Sequence, residues 1–316
     1  MGKTCANSFS LTLALPLAFA CLSLSACRSK DPIYSPNAEL IQVMDVQDKK
    51  SGPASDKYVL RGGDHLFYLE DLRAAVIKWV HLDSNLRIVG GVSDRLKAKG
   101  IRLLVVPVPT KVETYPELLS GRNVFDVSPC KNLFLGGLDS LKVEYLDLRP
   151  EFFRVKNEKR LFPHTDTHWD EGAILLAARK IADQLGLHAP SGENLPVTDT
   201  TLMRFQGDMA AKFHLAESDT VRLRMVGDGN GGRYAEPDSA GVLLFGDSFL
   251  NQYRKYAAHL GAQLARETGA PVKTIYSLTA FTQGPDKINE VVTAFPQAKI
   301  LIWVFTSRAL MESSPL

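Results

Sequence analysis

Short, continuous apolar runs alternate with amphipathic stretches along most of this 316-residue chain. The run at residues 101–107, with the sequence IRLLVVP, is typical of a strand that is covered on both faces, as in a parallel sheet. Further strands are predicted at residues 143–148, 241–245, 272–278 and 300–305, and helices at 170–185, 249–266 and 287–294. This alternation predicts a three-layer α/β/α domain with a mainly parallel sheet. Residues 187–240 are rich in Asp, Ser, Gly and Pro and are predicted to form an insertion or irregular segment.

The sequence Gly-Asp-Ser-Phe at residues 246–249 lies where a predicted strand meets a predicted helix. Ser248 would therefore lie at the carboxyl end of a strand, the edge at which α/β sheets bind ligands. Backbone N–H groups at the start of the following helix can stabilise an oxyanion there. The pattern indicates a nucleophilic serine, although Asp247 or Ser248 would also serve as an ordinary helix cap.

The sequence Asp-Thr-His-Trp at residues 166–169 offers a base for that serine. In an extended segment Asp166 and His168 point the same way, so the carboxylate can orient the imidazole that accepts the serine proton. A structural histidine is the alternative. His164, Asp166 and His168 also form an H-x-D-x-H series in which a zinc site is conceivable. That hypothesis ranks below the serine site, because a metal does not explain the Gly-Asp-Ser turn, and no metal or cofactor is expected.

The N-terminus has the pattern of an export signal. Residues 1–26 contain one basic residue and no acidic one, and they end in Leu-Ser-Ala before Cys27, which resembles a bacterial lipobox. A lipoprotein signal peptide at 1–26, a lipidated Cys27 and a polar tether at 27–57 are therefore predicted, ahead of the domain at 58–316. Arg28 favours a periplasmic protein anchored to the outer membrane. The alternatives are a plain cleaved signal and an uncleaved anchor in the inner membrane.

Two further features are predicted to have no catalytic role. The glycine-rich residues 227–232 match G-x-G-x-x-G, but no helix follows them, so a loop or hairpin is predicted rather than a nucleotide site. Cys130 has no obvious base beside it and is predicted to be a buried small residue. The net charge of +2 gives no broad basic field, and nucleic acid is not an expected partner.

The two motifs in this order resemble the SGNH hydrolase-like domain of the alginate O-acetyltransferase family, the AlgJ/AlgX type. Four more segments agree with that family. They are residues 106–111 followed by Tyr115-Pro116, residues 207–209 (Gly-Asp-Met), Trp303 with Arg308, and residues 62–67, where His65 replaces the usual tryptophan-bearing pair. The resemblance covers roughly residues 58–310.

The resemblance implies a nucleophile at Ser248, a general base at His168 and an orienting acid at Asp166. The motif order is permuted relative to ordinary SGNH enzymes, and this permutation is that of the acetyltransferase family. The backbone N–H of Ser248, with Tyr276 and Arg308, is a candidate for oxyanion or substrate contact.

The function implied by the resemblance is O-acetylation of an exported polysaccharide, as in alginate biosynthesis, through an acetyl-enzyme. A membrane-bound O-acyltransferase would be the partner that supplies acetyl groups. The alternatives are a carbohydrate acetylesterase with the same triad and a non-catalytic, lipid-anchored subunit of a polysaccharide secretion or modification complex.

Overall fold

The computed structural model describes residues 38–281 and 283–312, with the backbone alone at Asp199 and Glu312. The predicted signal peptide, Cys27 and Arg28 lie outside the described residues. The strands are β1 (Val59–Gly62), β2 (His65–Tyr68), β3 (Arg102–Val108), β4 (Val197–Phe205), β5 (Asp219–Val226), β6 (Val242–Gly246), β7 (Val272–Tyr276) and β8 (Ile300–Thr306). The helices are α1 (Ala38–Asp48), α2 (Ala54–Tyr58), α3 (Leu69–Val76), α4 (Leu82–Ala98), α5 (Lys111–Thr114), α6 (Glu117–Ser120), α7 (Pro129–Ser140), α8 (Arg149–Val155), α9 (Glu171–Leu185), α10 (Asp208–Lys212), α11 (Leu260–Thr268), α12 (Gly284–Ala294) and α13 (Ser307–Glu312). Within these residues, none of the helices combines the length and the apolar character needed to cross a membrane.

The central sheet has the strand order β3-β8-β6-β7, and all its neighbouring strands are parallel. Alternate residues of each strand enter two separate cores, because successive side chains point to opposite faces. In β8, Ile302 and Val304 pack with α9 and α11, whereas Leu301, Trp303 and Phe305 pack with α4, α7 and α12. Helices therefore cover both faces, and the predicted three-layer α/β architecture is confirmed.

The predicted helix at residues 249–266 is wrong. Two 3-10 turns, Ser248–Asn251 and Arg254–Tyr256, come before α11. Tyr253 and Ala257 adopt positive φ angles of 60° and 52°, which an α-helix does not allow. Tyr253 is buried and its hydroxyl donates to Asp170 Oδ1 at 3.1 Å. A contact 83 residues away in sequence thus holds the chain in this conformation.

Three other segments also differ from expectation in detail. The predicted strand at 143–148 is reduced to one bridge, between Tyr145 and Val105. Residues 187–240 contain an antiparallel hairpin formed by β4 and β5, whose Val221 and Leu223 enter the core. In the predicted tether, α1 and α2 pack against the domain, and Leu40 is only 1% exposed.

Two minor predictions are confirmed. The glycine-rich residues 227–232 form a loop that is closed by a bridge between Gly227 and Arg233. Cys130 is buried, and its Sγ accepts a hydrogen bond from the backbone N–H of Trp79 at 3.3 Å.

Candidate active site

Ser248 follows β6 at the carboxyl edge of the sheet, as predicted. The strand ends at Gly246, and Ser248 begins a 3-10 turn. A Cβ atom on Gly246 would lie 2.1 Å from the carbonyl oxygen of Val304 in β8, so only glycine allows this close approach. The turn that presents the serine therefore depends on a residue without a side chain.

Asp247 joins this turn to the neighbouring strand. Its carboxylate accepts hydrogen bonds from the backbone N–H of Phe249 at 3.1 Å and of Thr306 at 2.8 Å. Burial raises the pKa of Asp247, and these two N–H groups oppose the rise. Asp247 is thus the cap of the turn, the alternative role considered for this motif, and it also fixes the end of β6 against the end of β8.

The structure brings Ser248, His168 and Asp166 together in one hydrogen-bonded chain. Ser248 Oγ lies 2.8 Å from His168 Nε2, and His168 Nδ1 lies 2.8 Å from Asp166 Oδ1. The backbone N–H of His168 donates to the same Asp166 oxygen at 2.7 Å, which is the local contact expected of residues two apart. An ionised carboxylate only accepts, so Nδ1 carries the proton and Nε2 is free to accept the serine proton.

The charges of this triad favour a basic imidazole. Burial would raise the pKa of Asp166, but its hydrogen bond to His168 and the charge of His168 outweigh burial and lower it. Burial would lower the pKa of His168, yet the hydrogen bond and charge of Asp166 raise it above the ordinary value of 6.5. Asp166 therefore both orients the imidazole and stabilises its protonated form.

Asp208 is a second carboxylate at the base, and its role is not apparent from the sequence. Its Oδ2 lies 3.6 Å from His168 Nδ1, and its backbone N–H donates to Asp166 Oδ2 at 3.1 Å. Thr167 holds the Asp208 carboxylate through its backbone N–H at 2.7 Å and its hydroxyl at 2.5 Å. Burial and then the charge of Asp166 raise the pKa of Asp208. The Gly-Asp pair at 207–208 was the sequence feature that could have indicated this second carboxylate. A Cβ atom on Gly207 would lie 2.4 Å from the carbonyl oxygen of Thr165, so glycine is needed at this position.

The aromatic residues that close the two motifs contact each other. Trp169 Nε1–H donates to the carbonyl oxygen of Phe249 at 3.0 Å. The Phe249 ring lies 5.6 Å from the Trp169 ring and 4.9 Å from the His168 ring, measured between centroids. The segment with the base and the segment with the nucleophile are therefore joined by a buried contact in addition to the triad itself.

A buried ammonium group supports the segment that leads to Asp166. Lys111 Nζ donates to the carbonyl oxygens of Leu66, Pro163 and His164, at 3.0, 2.6 and 3.1 Å. Burial lowers the pKa of Lys111 to about 8, and the charge of Asp166 opposes this shift. The lysine of the P-x-K segment thus fixes backbone next to the site.

Tyr276 and Arg308 both lie at the edge of the sheet that carries Ser248. Tyr276 ends β7 and pairs with Gly246, and burial followed by the charge of Asp247 raises the pKa of its phenol. Arg308 follows β8, pairs with Asp71 and has its guanidinium 5.4 Å from the Tyr68 ring centroid. Their roles in oxyanion or substrate contact remain predictions.

The H-x-D-x-H zinc hypothesis finds no support in the part of the chain that the structure describes. The two groups of three possible metal ligands there are Asp64, His65 and His164, and Asp166, His168 and Asp208. Neither group contains both His164 and His168. In the second group both ring nitrogens of His168 are engaged, one by Asp166 and the other by Ser248.

Comparisons with known proteins agree with the fold. The family model described as an SGNH hydrolase-like domain, acetyltransferase AlgX, matches residues 59–303. A probable alginate O-acetylase AlgJ of Pseudomonas fluorescens is 34% identical over 137 residues, which are 42% of this chain and 34% of that protein. The matched region thus spans about a third of the length of this curated relative.

Solved structures share the fold at low sequence identity. The O-acetyltransferase domain of Pseudomonas putida AlgJ superposes with a TM-score of 0.61 at 19% identity, covering 81% of this chain and 93% of that one. Pseudomonas aeruginosa AlgX gives a TM-score of 0.53 at 21% identity, over 78% of this chain and 61% of that one. Because the family model matches well over half of the sequence, the protein belongs to the family of SGNH hydrolase-like domains of the acetyltransferase AlgX type.

Proposed function

We propose that this protein is an O-acetyltransferase that acetylates hydroxyl groups of a polysaccharide. The hydrogen-bonded chain from Ser248 through His168 to Asp166 is the observation that supports this most directly. Ser248 Oγ attacks the acetyl carbonyl of a donor ester while its proton passes to His168 Nε2. His168 returns that proton to the leaving alcohol of the donor, and the acetyl group remains on Ser248.

The second half of the reaction uses the same groups in reverse. A sugar hydroxyl gives its proton to His168 Nε2 and attacks the acetyl-serine carbonyl. The new ester leaves with the sugar, and Ser248 Oγ recovers the proton. The negative charge of each tetrahedral intermediate develops beside the turn after β6, where the backbone N–H of Ser248 is the first candidate donor and Tyr276 and Arg308 are others.

The relatives support a polysaccharide as the acceptor. Two of these relatives, from Pseudomonas fluorescens and Pseudomonas syringae, are described as probable alginate O-acetylases, and an alginate-like polymer is therefore the first acceptor to test. A membrane-bound O-acyltransferase would supply the acetyl groups to this chain, as the family resemblance implies.

A donor–acceptor assay tests this function. The purified protein is given a chromogenic acetyl ester with alginate oligosaccharide or with a neutral glucan of equal length, and the sugar is analysed by mass spectrometry. Ser248→Ala is expected to lower acetyl transfer by about 10⁴-fold, because the nucleophile is lost. Ser140→Ala removes an exposed serine hydroxyl on α7 and is the matched control.

The products separate the possible activities. Acetylated oligosaccharide supports transfer, whereas free acetate alone identifies an acetylesterase with the same triad. If Ser248→Ala releases acetyl groups as fast as the wild type does, the triad assignment fails.

We also propose that the protein is exported and attached by lipid on Cys27 to the periplasmic face of the outer membrane. The lipobox-like sequence before Cys27 and Arg28 after it support this proposal. In cells, Cys27→Ala is expected to abolish incorporation of a labelled fatty acid and to release the protein from sedimented membranes. Cys130→Ala is the matched control. Equal labelling of the Cys27→Ala variant and the wild type would rule out this anchor.

A further inference from the structure

A second group of polar side chains lies near the segment that precedes the triad. Asp64 follows β1, His65 begins β2, and His164 lies two residues before Asp166. The Asp64 carboxylate lies 3.8 Å from His65 Nε2 and 3.5 Å from His164 Nε2, and the two rings are 4.5 Å apart between centroids. A possible ligand atom from each of the three residues lies within 4.8 Å of the others.

These separations match a small transition-metal site. The ligand atoms of a tetrahedral zinc site, with bonds of about 2.0 Å, lie about 3.3 Å from one another. Asp64 Oδ2 and His164 Nε2 are already near that separation, whereas His65 Nε2 lies 3.8 Å from Asp64 Oδ1 and would have to move closer. Two imidazoles and one carboxylate form a common ligand set for Zn²⁺, with a position left for water or another ligand.

His164 faces a further carboxylate on its other side. Its Nδ1 lies 3.6 Å from Asp219 Oδ1, while its Nε2 faces Asp64. Asp219 is buried and is fixed by the backbone N–H groups of His164 and Thr165, both at 2.8 Å, and by the Thr165 hydroxyl at 2.5 Å. Metal-binding histidines commonly have such a carboxylate behind the ring, which keeps the proton on the far nitrogen and the near one free for the metal.

His65 has unused capacity to bind a ligand. Its side chain is only 11% exposed, and its Nδ1 is buried with no hydrogen-bond partner among the described residues. A buried ring nitrogen without a partner costs free energy. Its Nε2, which lies 3.8 Å from Asp64 Oδ1, would be the ligand atom beside Asp64 and His164.

Two positive charges lie beside this cluster. Lys111 Nζ donates to the carbonyl oxygens of Leu66 and His164, and Arg160 Nη1 lies 3.8 Å from Asp219 Oδ1. The carboxylates of Asp64 and Asp219 supply two negative charges that offset Lys111 and Arg160.

We propose that Asp64, His65 and His164 bind a divalent transition-metal ion, of which Zn²⁺ is the best match. The site is separate from the acyl-transfer triad and does not depend on the function proposed above. Leu66 N–H donates to the carbonyl oxygen of His164 at 2.8 Å, so a bound ion would reinforce an existing link between β2 and the segment that leads to Asp166. The ion would therefore stabilise the backbone of the segment that carries Asp166 and His168.

Calorimetric titration with ZnCl₂ tests this site. Tag-free protein is first treated with a chelator, and the wild type is expected to bind one Zn²⁺ per chain and to unfold at a higher temperature when Zn²⁺ is present. Asp64→Asn and His65→Gln are expected to weaken Zn²⁺ binding about tenfold or more and to remove the thermal shift. Asp64 is 73% exposed, so its variant keeps the test valid even if His65→Gln fails to fold.

Two control variants locate the ion. His188→Gln changes an exposed histidine that lies 3.6 Å from Asp183, which is the same type of pair outside the cluster, and Zn²⁺ binding should not change. His168→Gln alters the other group of three possible ligands, Asp166, His168 and Asp208, and Zn²⁺ binding should again not change. Binding that is lost in His168→Gln but retained in Asp64→Asn, or wild-type protein that binds no Zn²⁺, would overturn the proposal.

Discussion

The surroundings of His168 change its pKa in opposite directions. Burial alone would keep the imidazole neutral, but Asp166 at 2.8 Å outweighs burial, so the pKa of His168 rises. Asp208 adds a second negative charge 3.6 Å from the same nitrogen. The imidazole is therefore a stronger base than an isolated histidine, which favours removal of the Ser248 proton.

The charge of Asp208 should be visible in the pH dependence of the reaction. Only neutral His168 accepts a proton, so kcat/KM falls as the pH drops through the pKa of His168, and this acid limb is expected above about 6.5. Asp208→Asn removes one charge that raises that pKa, and the limb should therefore move to lower pH. The measurement is kcat/KM for a chromogenic acetyl ester from pH 5 to 9.

Asp183→Asn is the control for this pH profile, since Asp183 is an exposed carboxylate paired with His188 rather than with the triad. Its acid limb should coincide with that of the wild type. An acid limb for Asp208→Asn that stays in place, or moves to higher pH, contradicts the role assigned to Asp208.

At the level of elements, β6 and the turn after it determine where the nucleophile lies. The backbone of Gly246 packs against Val304 so closely that a methyl group has no room. Gly246→Ala is therefore expected to separate β6 from β8, to lower the free energy of unfolding by about 1–3 kcal/mol and to lower kcat. Urea unfolding and the ester assay measure the two effects.

Gly136→Ala is the matched control, because a Cβ atom there meets nothing within 4 Å and the residue lies inside α7. Alanine should raise the free energy of unfolding by about 0.5–1 kcal/mol at this helical position. If Gly246→Ala is as stable and as active as the wild type, the turn does not depend on this contact.

The elements that the sequence predicted correctly are those determined by local patterns. Residues 300–305 form a strand because a continuous apolar run can be covered on both faces. The helix predicted at 170–185 corresponds to α9, and Gly186, with a φ of 68°, follows its last residue. The break at Tyr253 was missed because its partner Asp170 is distant in sequence. The strand β5 was recognisable, since Val221, Leu223 and Met225 alternate with polar residues.

The same distinction applies to the candidate site. Asp166 and His168 are two residues apart, so their contact follows from an extended backbone. Asp208 is 42 residues from Asp166, and its place beside the imidazole follows from the packing of Gly207 on Thr165, which no local pattern encodes.

At the scale of the whole molecule, one acidic side chain joins several elements. Glu236 precedes β6, and its carboxylate accepts from Arg254 at 2.6 Å and lies 2.9 Å from His259 Nε2 at the start of α11. Arg254 also donates to the carbonyl oxygen of Thr274 in β7, at 3.2 Å. Burial would raise the pKa of Glu236, but its hydrogen bond with His259 and the charges of His259 and Arg254 lower it to about 2.

This lowered pKa predicts how the stability of the whole fold changes with pH. A carboxyl group whose pKa falls from about 4.5 in the unfolded chain to about 2 in the folded one stabilises the fold fully above pH 4.5, and loses that contribution as the pH drops toward 2. At pH 7 Glu236→Gln should therefore lower the free energy of unfolding by an amount on the order of 3 kcal/mol. The difference from the wild type should shrink below pH 4.5, as urea unfolding between pH 3 and 7 would measure.

Glu290→Gln, which alters an exposed pair with Lys287, should change the free energy of unfolding by less than about 0.5 kcal/mol throughout. A Glu236→Gln deficit that stays constant down to pH 3 would mean that the lost contribution is packing rather than charge.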